Sequence, residues 1–271
     1  MSLAGARREQ VVRHEVLAPE AAEGLAGMLD IDVPQGDLVP PLWHWIYLLE
    51  RRPQRDLGPD GHPLSGIPAP PGPERRRMFA GGRVWSHRPL MLRKQATRTT
   101  WVVNTTEKCG RTGPLTFVTA RSEFTQDGAL AIEEEQDIVY RAPGPPLPPP
   151  PHDKPIPQPR TPSLGLDVDA RLLFRFSALT YNAHRIHYDR DYVPLEGYPD
   201  LVVHGPLQAL MMGELFRRNG VNLLDRQYSY RLVTPMIGAQ RMTVVAAEEG
   251  LQAGAETRDA AGTVTAVSHL R

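Results

Sequence analysis

The segment Thr180-Tyr181-Asn182-Ala183-His184-Arg185-Ile186-His187-Tyr188-Asp189 holds two imidazoles, an amide, a guanidinium and a carboxylate, more polar chemistry than packing demands. Imidazoles exchange protons near neutral pH, so His184 and His187, three positions apart, are candidates for a general acid and base. On a helical backbone the same spacing would let both rings share a metal, with His204 as a further imidazole, but no third ligand has convincing spacing. Metal-free proton transfer is the reading carried forward. A second feature lies downstream in Val203-His204-Gly205-Pro206. Proline in a first turn marks a helix start, whose free N–H groups and positive dipole end suit an oxyanion.

The elements that must hold these groups follow from periodicity. Asp167 to Ser177 alternates like a strand leading into the histidine segment, and Pro206 to Arg218 has helical spacing after it. Tyr228 to Thr234, Ala239 to Ala247, Gln252 to Arg258 and Thr263 to Leu270 then read as strands, the closing hairpin turning at Ala261-Gly262. One amphipathic helix before a run of antiparallel strands is a hot-dog layout, a curved sheet wrapped on a helix.

The first half reads in the same way. Pro40 to Leu49 is its expected helix, followed by strands over Arg83 to Pro89, Thr97 to Glu107, Pro114 to Phe124 and Ala129 to Tyr140, with a tight hairpin at Asp127-Gly128. A weak internal repeat sets Ser86 to Val103 against Arg231 to Ala246, with Pro89 facing Pro235. Between the halves runs APGPPLPPPPHDKPIPQPRTP (142–162), too proline-rich for helix or ladder and read as an extended connector rather than a ligand for a proline-binding module. The expected division is an N-terminal repeat over 1–141, a linker over 142–165 and a C-terminal catalytic repeat over 166–271. The stretch Arg51 to Arg77, which contains Asp60-Gly61-His62-Pro63, is long for a plain connection and is expected to form a lid or collar over the active site.

Composition narrows the class. Lys+Arg and Asp+Glu number 31 each, a formal net charge of +0, so no global field attracts nucleic acid or an anionic membrane. The one cysteine, Cys109, can neither close an internal disulfide nor alone build a zinc or iron–sulfur site, which fits a reducing compartment. The opening MSLAGARREQVVRHE lacks the apolar core of a signal peptide, and no apolar run approaches the roughly 20 residues that span a bilayer. A cytoplasmic protein without nucleic-acid or membrane partners is expected.

FSALTYNAHRIHYD (Phe176 to Asp189) followed by LVVHGPLQALMM (Leu201 to Met212) resembles the signature of MaoC-like hydratases and dehydratases. The likeness is strongest to the branch of mesaconyl-CoA and itaconyl-CoA hydratases and type 2 hydroxyacyl-thioester dehydratases. PPLWHW (Pro40 to Trp45), LGPDGHPLSG (Leu57 to Gly66), RRRMFAGGRVWSHRPL (Arg75 to Leu90) and EEEQDIVYR (Glu133 to Arg141) extend it over nearly the whole chain. The resemblance implies an α+β double hot dog, with a degenerate N-terminal repeat that makes room for the acyl chain. It implies reversible hydration of a 2-enoyl-CoA, short and branched or dicarboxylic, by a homodimer with an acyl-CoA substrate and no cofactor or metal.

In related (R)-specific hydratases the motif reads Gly-Asp-x-Asn-Pro-x-His, and the matching positions here are Tyr181, Asn182, His184, Arg185 and His187. An amide cannot take a proton, so Asn182 orients water and His187 is the expected base, with His184 as an orienting or second acid/base group. The Gly205 N–H is expected to meet the thioester oxyanion. Arg185, Tyr181 and His204 are expected at the substrate, Arg185 either as a clamp for a substrate carboxylate or as a surface ion pair. Arg93-Lys94 stands where the branch has Gly-Asp, and either touches the CoA phosphates or faces solvent. The rival chemistries are a hot-dog thioesterase using Asp189 or Glu214, and an inactive thioester-binding module.

Overall fold

Ten antiparallel strands pair edge to edge into one sheet in the computed structural model, which describes residues 9–68, 76–110, 113–142 and 160–271. They are β1 (Gln10–Val16), β2 (Arg76–Ser86), β3 (Gln95–Gly110), β4 (Gly113–Gln126), β5 (Ala129–Arg141), β6 (Ser163–Val168), β7 (Gln227–Leu232), β8 (Gln240–Ala246), β9 (Gly254–Arg258) and β10 (Val264–Leu270). Their order is β1-β3-β4-β5-β2-β7-β10-β9-β8-β6. Read outward from the β2–β7 seam, both halves follow the same path, and Pro89 and Pro235 fall in the equivalent connections before β3 and β8. The seam needs glycine at its closest point: a Cβ on Gly81 (φ +154°) would stand 2.3 Å from the Tyr230 carbonyl oxygen.

Three helices accompany the sheet: α1 (Pro19–Met28), α2 (Ala170–Thr180) and α3 (Gly205–Arg218). α3 is buried from Gly205 to Phe216 except at Pro206 and packs on β8, β9 and β10, as a hot-dog helix must. The hairpin at Asp127-Gly128 has φ of +52° and +74°, the conformation that this pair supplies at least strain.

Two elements differ from the sequence reading. Asp167 to Ser177 is not one strand: β6 ends at Val168, Asp169 caps α2 by accepting from the Leu172 N–H at 2.9 Å, and Leu172, Leu173 and Phe176 turn onto one buried face. Pro40 to Leu49 is not a helix but a short 3₁₀ turn over Trp43–Ile46, bounded by Leu42 and Leu48 at φ of +69° and +54°. Its aromatic residues still serve the core, for Trp43 is fully buried and its Nε1 donates to Glu214 of α3 at 2.9 Å. The helix of the first half, α1, packs against α2, so among the described residues the N-terminal repeat has no counterpart of α3.

Most of the proline-rich connector, 143–159, lies outside the described residues, and β6 begins at Ser163, inside the stretch expected as linker. No helix among the described residues is long and apolar enough to cross a membrane.

Candidate active site

A cavity of about 1070 Å³ is walled on one side by the histidine segment and the start of α3 and on the other by β3, β4 and the 51–68 loop. α2 delivers the histidines. It stops where Tyr181 turns left-handed (φ +52°), and the Asn182 N–H closes onto the Ser177 carbonyl at 2.8 Å. Asn182 Oδ1 then accepts from the His184 N–H at 3.0 Å, which fixes the amide and leaves its nitrogen free to donate to a water. The Val202 N–H bonds to the Ile186 carbonyl at 2.9 Å, which stitches this segment to the one that opens α3.

His187 donates through Nδ1 to the Val202 carbonyl at 2.7 Å. A carbonyl only accepts, so Nε2 carries the lone pair, and among the described residues it has no protein partner. Burial, reinforced by His204 and His184 beside it, holds the ring well below its ordinary pKa, so it is neutral at pH 7. His204 stacks on His187 with ring centroids 3.6 Å apart and planes 19° apart. Burial brings His204 down to about 3, and its Nε2 meets Ser177 Oγ of α2 at 2.9 Å. His204 is fully buried and outside the cavity wall, so it does not reach a substrate as expected but fixes the plane of His187 from behind.

His184 Nε2 donates to Glu196 Oε1 at 2.9 Å, which directs Nδ1 away from that carboxylate, and its ring lies 5.5 Å from that of His187 at 86°. On its other side stands a residue not foreseen in this role: the His62 ring centroid is 4.0 Å from that of His184. His62 donates through Nδ1 to Asp60 Oδ2 at 3.0 Å, and burial, partly offset by that bond, brings the ring to about 3. Burial opposes the Asp60 carboxylate, yet the bonds from His62 hold it at about 2.

The 51–68 loop is thus a collar docked on the site. Arg185 N–H bonds to the Asp60 carbonyl at 2.9 Å, and Gly61 (φ +88°) lies so close to Ala183 that a Cβ would stand 1.8 Å from its carbonyl oxygen. The rest of the expected lid, 69–75, lies outside the described residues. Ligand atoms of Asp60, His62 and His184 come within 4.8 Å of one another, supplying the third potential metal donor that linear spacing hid. His62 and His184 each hydrogen-bond to a carboxylate through one ring nitrogen, Asp60 and Glu196 respectively, which fixes the direction of the other nitrogen.

Gly205, the first residue of α3, lines the cavity, and no partner for its N–H is found among the described residues. Leu232 Cδ1 and Phe79 Cδ1 would lie 2.5 and 3.1 Å from a Cβ there, so a larger residue would displace side chains packed at the helix start. Tyr181 is half-exposed and lines the cavity.

Arg185 does not face the substrate. Its guanidinium bonds to Asp189 at 2.7 and 2.9 Å and to the Pro59 carbonyl at 3.1 Å, and lies 4.2 Å from the Tyr192 ring centroid. Arg93 and Lys94 pair with Asp37 and Asp127 on the surface. The carboxylates a thioesterase would need are also taken: Glu214 accepts from Trp43, Arg217 and Arg218, Asp189 from Arg185, and neither lines the cavity.

A family model for hydroxyacyl-thioester dehydratase type 2 matches residues 42–238. The chain is 45% identical over 235 residues to the mesaconyl-C(4)-CoA hydratase of Chloroflexus aurantiacus, covering 84% of each chain. Among solved structures it is similar to HtdX of Mycobacterium tuberculosis, with a TM-score of 0.69, 15% identity and coverage of 97% and 99%. Another M. tuberculosis protein, with a double hotdog fold, gives a TM-score of 0.58, 13% identity and coverage of 98% and 96%. At such identities the structures speak for the fold, an α+β double hot dog.

Proposed function

The chain belongs to the type 2 hydroxyacyl-thioester dehydratase family, and from that premise we propose how its residues hydrate an enoyl thioester. The class of reaction is that of a hydro-lyase, adding water to a CoA thioester and removing it. In our reading His187 Nε2 takes a proton from water as the water oxygen bonds to the β-carbon. The electron pair of the double bond moves toward the thioester carbonyl, whose developing oxyanion meets the Gly205 N–H at the positive end of α3. The proton on His187 then passes to the α-carbon, so one turnover leaves the imidazole as it began. His184, held by Glu196, and the Asn182 amide orient the water from the other side.

The observation that carries this reading is one cavity onto which both a neutral imidazole with a free Nε2 and an open helix N-terminus face. A short branched or dicarboxylic acyl group is proposed as well, in keeping with the name of the C. aurantiacus relative.

The test follows the absorbance of the conjugated enoyl thioester together with thiol release. Hydration bleaches the first without the second, and thiol release would mean thioester hydrolysis instead. His187→Ala should lower the hydration rate by roughly 10²–10⁴-fold in a folded protein. Near-normal turnover in that variant would overturn the assignment.

A further inference from the structure

The wall of the cavity away from the histidines holds a guanidinium with no carboxylate at ion-pair distance among the described residues. Arg98, on β3, lines the cavity and donates through Nε to Ser122 Oγ at 3.1 Å, and Ser122 also meets Thr100 Oγ1 at 2.9 Å. Its Cζ lies 5.4 Å from the Phe124 ring centroid, and no ion pair is found for it among the described residues. Every other arginine considered above as a substrate or CoA contact is already matched to a carboxylate.

The surroundings of Arg98 are also out of balance. Its cross-strand partner on β1 is Arg13, a like charge placed directly opposite, which sheets otherwise avoid. Arg13 and Arg52 both reach Glu50, at 3.0 and 2.6 Å. The remaining carboxylate, Glu134, accepts from Trp45 at 2.6 Å and Gln136 at 2.9 Å through Oε1, while its buried Oε2 lies 3.8 Å from His44 Nε2. Arg13, Arg52 and Arg98 thus face only Glu50 and Glu134, and one positive charge is left at the cavity wall. Burial works against that charge while Glu134 and Glu50 favour it. Desolvating a guanidinium that no carboxylate contacts directly is unfavourable, and a ligand carboxylate at that point would offset the cost.

We propose that Arg98 is a specificity-determining residue that receives the free carboxylate of a dicarboxylic acyl thioester, with Ser122 holding its guanidinium in place. This deepens the hydratase reading above and rests on it for the identity of the ligand. It moves the carboxylate-reading role, which sequence adjacency suggested for Arg185, into the N-terminal repeat. The two terminal nitrogens of a guanidinium match the two oxygens of a carboxylate, which lysine would not reproduce.

The experiment compares kcat/KM for mesaconyl-C4-CoA and glutaconyl-CoA with that for crotonyl-CoA, in the protein, Arg98→Met, Arg98→Lys and Ser122→Asp. The preference for carboxylated substrates should fall about 10²-fold in Arg98→Met and be only partly kept in Arg98→Lys. Ser122→Asp, which supplies Arg98 with an internal carboxylate, should abolish the preference with Arg98 still present, so the test survives if Arg98→Met fails to fold. Equal losses on all three thioesters, or an unaltered preference, would overturn the proposal.

Calorimetric binding of succinyl-CoA against butyryl-CoA, neither of which can be hydrated, separates the two readings. Arg98-dependent preference for succinyl-CoA without hydration of any enoyl thioester would uphold the carboxylate site and sink the hydratase reading. Hydration without that preference would do the reverse.

Discussion

Gly61→Ala tests whether the collar belongs to the reaction or only covers it. Gly61 sits at φ +88°, and an added Cβ would lie 1.8 Å from the Ala183 carbonyl oxygen and 2.6 Å from its carbon. Non-bonded heavy atoms settle near 3.5 Å, so the loop must retreat by roughly 1.5 Å. The left-handed conformation adds about 1–2 kcal/mol for any residue with a Cβ. Retreat carries Asp60 and His62 away from His184, whose ring is now 4.0 Å from that of His62. Misplacement of catalytic groups by about 1 Å commonly costs on the order of 10²-fold in rate, so kcat/KM should fall by about that much. The melting temperature should drop by only a few degrees, roughly 2–4 °C per kcal/mol in a chain of this size. Gly36→Ala is the control, since Gly36 has φ +82° but nothing within 4 Å of an added Cβ. Enoyl-thioester hydration and thermal melting on both variants decide the matter. A loss of activity in Gly61→Ala no larger than in Gly36→Ala would refute the collar's part in the chemistry.

Two further outcomes follow from the buried polar groups. Glu196→Gln keeps an oxygen that can accept from His184 but removes the charge; kcat should fall roughly 10–100-fold with KM little altered, and an unaffected kcat would show that the carboxylate merely packs. His62 and His204, both brought to about 3 by burial, stay neutral in the folded protein while the unfolded chain binds protons below 6.5. Folding stability should therefore be fully present above pH 6.5 and fall by roughly 1.4 kcal/mol per pH unit for each ring as pH drops toward 3. Asp60, held at about 2, adds a loss only as pH falls from 3.8 through that value. Urea midpoints at successive pH values measure the slope; a flat profile from pH 6.5 to 4 would contradict neutral buried rings.

What the sequence made legible was set by local chemistry. Asp127-Gly128 and the proline opening α3 announce their conformations, because backbone preference and fold agree there. α2 was misread because Leu172, Phe174 and Phe176 alternate as a strand would, although Phe174 ends largely exposed at 64%. The signal that mattered was Asp169, an N-cap placed three residues before Leu172. Pro40 to Leu49 has the aromatic density of a core helix, yet left-handed Leu42 and Leu48 end it, for reasons that lie in the packing of Trp43 beneath α3. α1 carries a local mark too, a proline at the first turn followed by Glu20, but the small and polar residues around it give no strong apolar period.

The site shows a sharper limit. His184, His187 and Gly205 were visible because one short stretch of chain holds them, and the same proximity drew Arg185 into the substrate role. Four residues from Asp189 near a helical turn, Arg185 has a local partner that needs no substrate. Asp60 and His62 lie more than a hundred positions upstream, Glu196 follows an intervening turn, and Arg98 belongs to the other repeat. They meet the histidines, or the cavity the histidines face, because the β2–β7 seam joins the halves and, among the described residues, no long helix of the N-terminal repeat covers β3 and β4. In the proposed reading that cavity is the acyl pocket, and side chains of β3 and β4 line it in place of a helix.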